Sequence, residues 1–117
     1  MTQLIACLST GKGTWGHVSR LIDEQDWDGI FLVTNSFGKE NFSLKKQGEF
    51  IEVDSNKSII ELRDDIKKSL EEKINGDVAV NLISGTGKEH MATMAALLQL
   101  GVGIRFIALT KDGMVEI

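Results

Sequence analysis

The sequence predicts an α/β fold, a three-layer sandwich built around a mostly parallel sheet. Three observations lead there. Short continuous apolar runs, the pattern of strands buried on both faces, alternate with segments whose apolar residues recur every three or four positions. Two of these runs end in glycine turns that open helices. A tight turn, Lys111-Asp112-Gly113, separates the last two strand-like runs and predicts an antiparallel hairpin. The 117 residues suffice for one domain, 1–117, and hardly for two.

"LIACL", residues 4–8, is the first strand, ended by Ser9-Thr10-Gly11. Helix periodicity begins near Thr14, with Val18, Leu21 and Ile22 on one face. "IFLV", 30–33, is a second buried strand, entered through Gly29 and left through Thr34-Asn35-Ser36. Residues 36–48 are polar and hold at most one short helical turn. "FIEV", 50–53, alternates in polarity, which suits an edge strand. Asp54 or Ser55 is expected to cap a long helix ending at Asn75-Gly76, whose buried face carries Ile59, Leu62, Ile66, Leu70 and Ile74. "VAVNLI", 78–83, is the fourth strand; Met91, Met94, Ala95 and Leu98 mark the packing residues of a helix stopping near Gly101. "IRFIAL", 104–109, and the short "MVEI" complete the sheet.

The expected strand order is 3-2-1-4-5-6, with the last strand antiparallel. In such sheets ligands bind beyond the carboxyl ends of the strands, where the order reverses. The reversal falls between the first and fourth strands, so the two glycine turns are expected to line one site.

Composition narrows the ligand. The net charge is −4 and no basic stripe is visible, which argues against a duplex nucleic acid partner but not against a small anion. No apolar run reaches membrane-spanning length, and the first residues lack a signal peptide's basic region, so a cytoplasmic location is expected. The single cysteine, Cys7, reads as a small buried hydrophobe.

Gly11-Lys12-Gly13-Thr14-Trp15-Gly16 matches G-x-G-x-x-G between a strand and a helix, the context of a Rossmann-like dinucleotide turn. The acid that would close the second strand and bind ribose is missing, because Thr34-Asn35-Ser36 stands there. Gly87-Lys88 is no P-loop: Leu82 occupies the first glycine position and Glu89 that of the Ser/Thr metal ligand. Both turns nevertheless offer backbone N–H groups at helix N-termini, an arrangement that favours negative charge. Lys12 and Lys88 add cations, and Ser9, Thr10, Ser84 and Thr86 add hydroxyls. Gly11, Gly13, Thr14, Gly85, Gly87 and Asn35 complete a candidate cradle for a phosphodiester. The competing reading makes the same residues simple turn formers and helix caps. His17 and His90, early in the two following helices, are candidate acids or bases near neutral pH. Trp15 can stack on a base, although it and Trp27 equally suit a core. No ligand spacing for a metal is present and no cofactor is expected.

At these residues the chain resembles the CARF family, the CRISPR-associated Rossmann-fold sensor domains. There the first strand ends in Ser or Thr before a glycine-bearing turn, as at Ser9-Thr10-Gly11. The fourth runs into a turn like Thr-Gly-Gly-Thr-Lys and an apolar helix start, as at Ser84-Gly85-Thr86-Gly87-Lys88 with Met91 beyond. Thr86-Gly87 is swapped against the common pattern, while the lysine keeps its spacing. The resemblance implies a homodimer binding cyclic oligoadenylate across its two-fold axis, each protomer supplying two turns. A chain ending with the last strand implies a stand-alone member, and such members include ring nucleases of type III CRISPR defence. These cleave without metal: a ribose 2′-OH attacks the adjacent phosphate and leaves a 2′,3′-cyclic phosphate. Ser9 or Thr10 would orient the ribose, Lys88 and the turn N–H groups would stabilise the phosphorane, and His17 or His90 would move protons. Two alternatives accompany this expectation: a sensor or sequestering module without turnover, and a small domain holding another nucleotide.

Overall fold

In the computed structural model, which describes residues 2–8 and 11–117, one sheet runs through the middle of a three-layer α/β/α sandwich. The elements are β1 (Gln3–Cys7), α1 (Trp15–Glu24), β2 (Gly29–Thr34), α2 (Ser36–Asn41), β3 (Glu49–Glu52), α3 (Ile59–Leu70), β4 (Asp77–Asn81), α4 (Gly87–Leu100), β5 (Gly103–Thr110) and β6 (Gly113–Glu116). A 3-10 turn, Lys12–Thr14, leads into α1. The sheet order is β3-β2-β1-β4-β5-β6, parallel except for the β5–β6 hairpin. This is the Rossmann-like order read from the sequence. Among the described residues no helix is long and apolar enough to cross a membrane.

The continuous apolar strands are explained by two cores, one on each face. Ile5, Cys7, Phe31, Val33, Val78 and Val80 pack under α3 and α4, with Leu62, Ile66, Leu70, Ala92, Ala96 and Leu97. Leu4, Ala6, Leu8, Ile30, Leu32 and Ala79 face the other way, against Trp15, Val18, Leu21 and Ile22 of α1 and Phe42. Alternate residues of one strand therefore serve opposite layers, which is why β1 is apolar from Leu4 to Cys7.

Several local expectations change. The cap of α3 is Ser58, not Asp54 or Ser55: Ser58 accepts from the Glu61 N–H and Glu61 accepts from the Ser58 N–H, a reciprocal pair unavailable further upstream. Asp54 instead accepts from the Asn56 N–H and closes a turn. The helix ends at Leu70, where Glu72 takes a left-handed φ of 66°; Ile74 lies beyond it yet still packs on the core. β4 stops at Asn81, so Ile83 is half exposed.

The larger correction concerns α4. Its buried side chains are Glu89, Ala92, Thr93, Ala96 and Leu97, whereas Met91 and Leu98 are 66% and 67% exposed. A helix apolar on most of its circumference gives no unique face. Packing selects the alanines because small side chains let α4 lie close to its neighbours. The adjacent leucines test this. Leu97→Ala should cost about 2–5 kcal/mol. Leu98→Ala should stay within about 0.5 kcal/mol, by urea unfolding at low protein concentration.

Candidate functional site

β1 pairs with β4 in parallel, Gln3 beside Val78 through Ala6 beside Asn81, so the loops after both strands leave the sheet side by side. The strand order reverses between them, because β2 lies beyond β1 and β5 beyond β4. Their chains then diverge: the first turn feeds α1 on one face, the second feeds α4 on the other. Of the sequence-predicted residues, Ser9 and Thr10 lie outside the described residues.

The first turn is open. Gly11, Lys12 and Gly13 are exposed, and a Cβ placed at Gly13 or Gly16 would meet nothing within 4 Å. Gly16 is thus not held for close helix packing, as the third glycine of a dinucleotide fingerprint is. Thr14 ends the 3-10 turn and stands at the N-cap of α1 without a side-chain cap bond among the described residues. The Lys12 ammonium lies 5.7 Å from the Trp15 ring centre and 5.9 Å from that of Phe37, cation–π geometry for both. Trp15 itself is buried, packed at 78° to the Phe42 ring and covered by Lys12, so little of it is open to a base. The exposed ring at this turn is Phe37, 40% accessible, which the sequence reading passed over. Asn35 caps α2 by accepting from the Gly38 N–H. Glycine is required at 38, where any Cβ would collide with the Thr34 hydroxyl.

The second turn is closed. Ser84 is buried and its carbonyl oxygen lies 2.7 Å from His90 Nε2, which therefore donates to it. Gly85 has φ +103°, and a Cβ there would stand 3.0 Å from His90 Nε2, 3.1 Å from Cys7 Cβ and 3.2 Å from Glu89 Oε2. Only glycine fits both the backbone angle and the space. Thr86 is the N-cap of α4, its hydroxyl accepting from the Glu89 N–H at 3.3 Å. A Cβ at Gly87 would meet nothing within 4 Å. Lys88 reaches away from the turn, its Nζ donating to the Ser55 carbonyl at 2.9 Å.

Beneath this turn sits a residue whose role the sequence reading missed. Glu89 is only 5% exposed, and its Oε2 has no hydrogen-bond partner among the described residues. Burial pushes its carboxyl above the usual range, opposed by the Thr86 backbone N–H and the nearby His90 ring. Its neighbour Cys7 is fully buried. Desolvation drives that thiol up to about 12, while the Thr93 hydroxyl, 3.7 Å from Sγ, pulls it down and Glu89 adds to the rise. Cys7 is therefore a neutral thiol, not a nucleophile.

The two histidines stand on opposite faces of the sheet. His17, on α1, accepts the Leu109 N–H at Nε2 (3.2 Å), and Asn81 Nδ2 lies 3.3 Å from the same nitrogen. Asn81 Nδ2 also donates to the Ile107 carbonyl. Desolvation first, and then Arg20, lower the His17 pKa, consistent with a neutral ring whose acceptor nitrogen is occupied. His17 thus ties α1 to β4 and β5, and His90 ties the second turn to its own helix.

A groove of about 370 Å³ adjoins the same edge, lined by Asn35, Ser36, Glu52, Val53, Asp54, Ser55 and Asn56. A larger hollow of about 430 Å³, lined by Trp27, Asp28, Gly29, Gln47 and Glu49 among others, opens at the amino ends of β2 and β3, remote from both turns. The smaller groove and the turns form the candidate site, because the groove lies at the carboxyl end of the sheet and Lys88 of the second turn reaches its Ser55. Helix N–H groups and Lys12 can hold an anion, and the groove's carboxylates and amide can take hydroxyl and amino donors. No protein-family model matches the chain, and no curated protein matches it significantly.

Two outcomes follow from this geometry. Gly85→Ala should lower stability by about 1–3 kcal/mol in chemical denaturation, through its backbone angle and its contacts. Gly87→Ala, with open space, should stay within about 0.5 kcal/mol. For His17, the folded pKa lies below the ordinary 6.5, so its contribution is complete above 6.5 and is lost as pH falls through the folded value. Wild-type stability should decline over that window, and His17→Gln should flatten this part of a denaturation-versus-pH curve.

Proposed function

We propose that this protein binds a cyclic oligoadenylate between two copies of itself and cleaves it slowly without metal, as the resemblance to CARF ring nucleases implies. The observation that carries this reading is the parallel pairing of β1 with β4, which sets both glycine turns at one reversal of strand order. A phosphodiester there meets two helix N-termini and the ammonium of Lys12, with Lys88 able to swing in from the Ser55 carbonyl. The exposed Phe37 ring offers a stacking face for a base. In the cleavage step a ribose 2′-oxygen forms a bond to the neighbouring phosphorus and the bond to the 5′-oxygen breaks. The 2′-hydroxyl proton leaves and the departing oxygen gains one. The protein's part is to align these atoms and stabilise the added charge.

Outward-facing Met91 and Leu98 on α4 support a two-fold contact along the helix that carries the second turn. Leu98→Glu should then leave a monomer in sedimentation analysis, with ligand binding reduced.

A second reading, sequestration without turnover, is favoured by one specific feature. His17 and His90 both spend Nε2 on backbone groups, so neither offers that nitrogen to a substrate without breaking a bond. Incubation of the purified protein with cyclic tetra-adenylate in EDTA separates the readings. Linear products ending in 2′,3′-cyclic phosphate establish the ring nuclease, and intact ligand eluting with the protein establishes sequestration. Absence of both binding and cleavage removes this ligand. Lys88→Ala should weaken binding about 10- to 100-fold, the value of a charge-assisted hydrogen bond.

A further inference from the structure

We infer that the second turn takes up its anion together with one proton, and that Glu89 holds it. The inference rests on the reading that this turn is an anion site, and it adds a residue and a pH dependence to that site. Three geometrical facts carry it. Glu89 is 95% buried by its 5% exposure, directly under the turn. Its Oε2 has no partner among the described residues and points at Gly85, 3.2 Å from where a Cβ would stand. The residues that would hold the anion, Thr86 to Lys88, are the first turn of the helix on which Glu89 sits.

A helix cap accounts for one oxygen of this acid, as it does for Glu61 in α3, but not for the buried Oε2. Glutamine at 89 could accept the same backbone N–H without carrying a buried charge. The ionised carboxylate is tolerable while the turn is empty, because the N-terminal end of α4 favours negative charge. A phosphodiester bound to the same N–H groups adds a second negative charge a few ångströms away, with little water between. Like charges in one such site cannot both persist, and the group able to take a proton does so. Burial already biases Glu89 toward the neutral acid.

Apart from His90, the other groups around it do not substitute. Cys7, from β1, is a neutral thiol with no charge to lose in this range. His90, from α4, keeps its Nε2–H on the Ser84 carbonyl and is the one competing acceptor, through Nδ1, that the Glu89→Gln comparison separates. Arg63, from α3, is paired with Asp64 and lines a surface hollow beside Met91 and Ala92. Lys88 is turned toward Ser55.

The test is titration calorimetry of cyclic tetra-adenylate between pH 5 and 9, in two buffers of different ionisation heat. Its phosphodiesters do not titrate there. Affinity should be level at low pH and then fall by up to about tenfold per unit above the free Glu89 pKa, with proton uptake approaching one per anion. Glu89→Gln should bind without uptake and without this slope. Wild-type binding that is independent of pH overturns the inference. So does Glu89→Gln that keeps the slope, which would assign the proton to His90. If cyclic tetra-adenylate does not bind, sulfate replaces it, followed by the Gly85–Lys88 amide resonances. A Glu89-dependent slope with sulfate keeps the inference while the nucleotide reading fails, and no response to either anion overturns the inference. Should Glu89→Gln fail to fold, the carboxyl carbon resonance of Glu89 in the wild type decides. It must move toward the protonated position on anion binding at constant pH, and an unchanged resonance overturns the proposal.

Discussion

The parallel pairing of β1 with β4 is the constraint on which the other features depend. It places a strand order reversal at the middle of the sheet, so the chain leaves β1 toward one face and β4 toward the other. The loops after the two strands therefore start side by side and feed helices on opposite faces. The two cores follow from the same pairing. β1, central and covered on both sides, is apolar from Leu4 onward, and it supplies Leu4 and Ala6 to one layer and Ile5 and Cys7 to the other.

Close approach at the edge is obtained with glycine at two points. Gly38 lets α2 settle against the Thr34 hydroxyl, which donates to the Leu8 carbonyl and ties the end of β2 to β1. Gly85 lets the second turn lie on Cys7, Glu89 and His90. The first contact is fully satisfied. The second leaves a carboxylate oxygen buried without a partner among the described residues, at a cost of about 1–3 kcal/mol for an unmet polar group. A well-packed chain that breaks a local rule at one place does so where function is concentrated. Among the described residues that place is the N-terminus of α4, where the proposed reading sets an anion.

Much of the fold was legible because its signals are local. Uninterrupted apolar runs marked β1, β2 and β4. The four-residue spacing of Leu62, Ile66 and Leu70 fixed the buried face of α3, since charged residues fill its other side. The face of α4 was not legible: Met91 and Leu98 are as apolar as Ala96 and Leu97, and only contact with α3 and the sheet distinguishes them. The site divides in the same way. Its glycines, serines and threonines announce turns by composition. The destinations of its long side chains do not, because they depend on partners far along the chain. His17 meets Leu109 and Asn81, Lys88 meets Ser55, and Lys12 meets Phe37. Glu89 was visible only as a departure from the P-loop, and its burial is a tertiary fact.

The two turns are alike in composition and opposite in mechanics. The first has open space at Gly13 and Gly16 and a lysine resting on aromatic rings, an arrangement that can adapt to an arriving phosphate at little cost. The second is held shut by the His90–Ser84 bond and packed from below, so its N–H groups are fixed before any ligand arrives. Fixed donors bind without an ordering cost, and adaptable ones supply reach. This division suits holding a ligand better than driving rapid chemistry. Rapid proton transfer needs an acid or base free at the reacting atoms, and here His17 and His90 both commit Nε2 to backbone groups while Glu89 is covered by the turn. On the proposed reading, turnover rests on alignment and on the electrostatics of two helix N-termini.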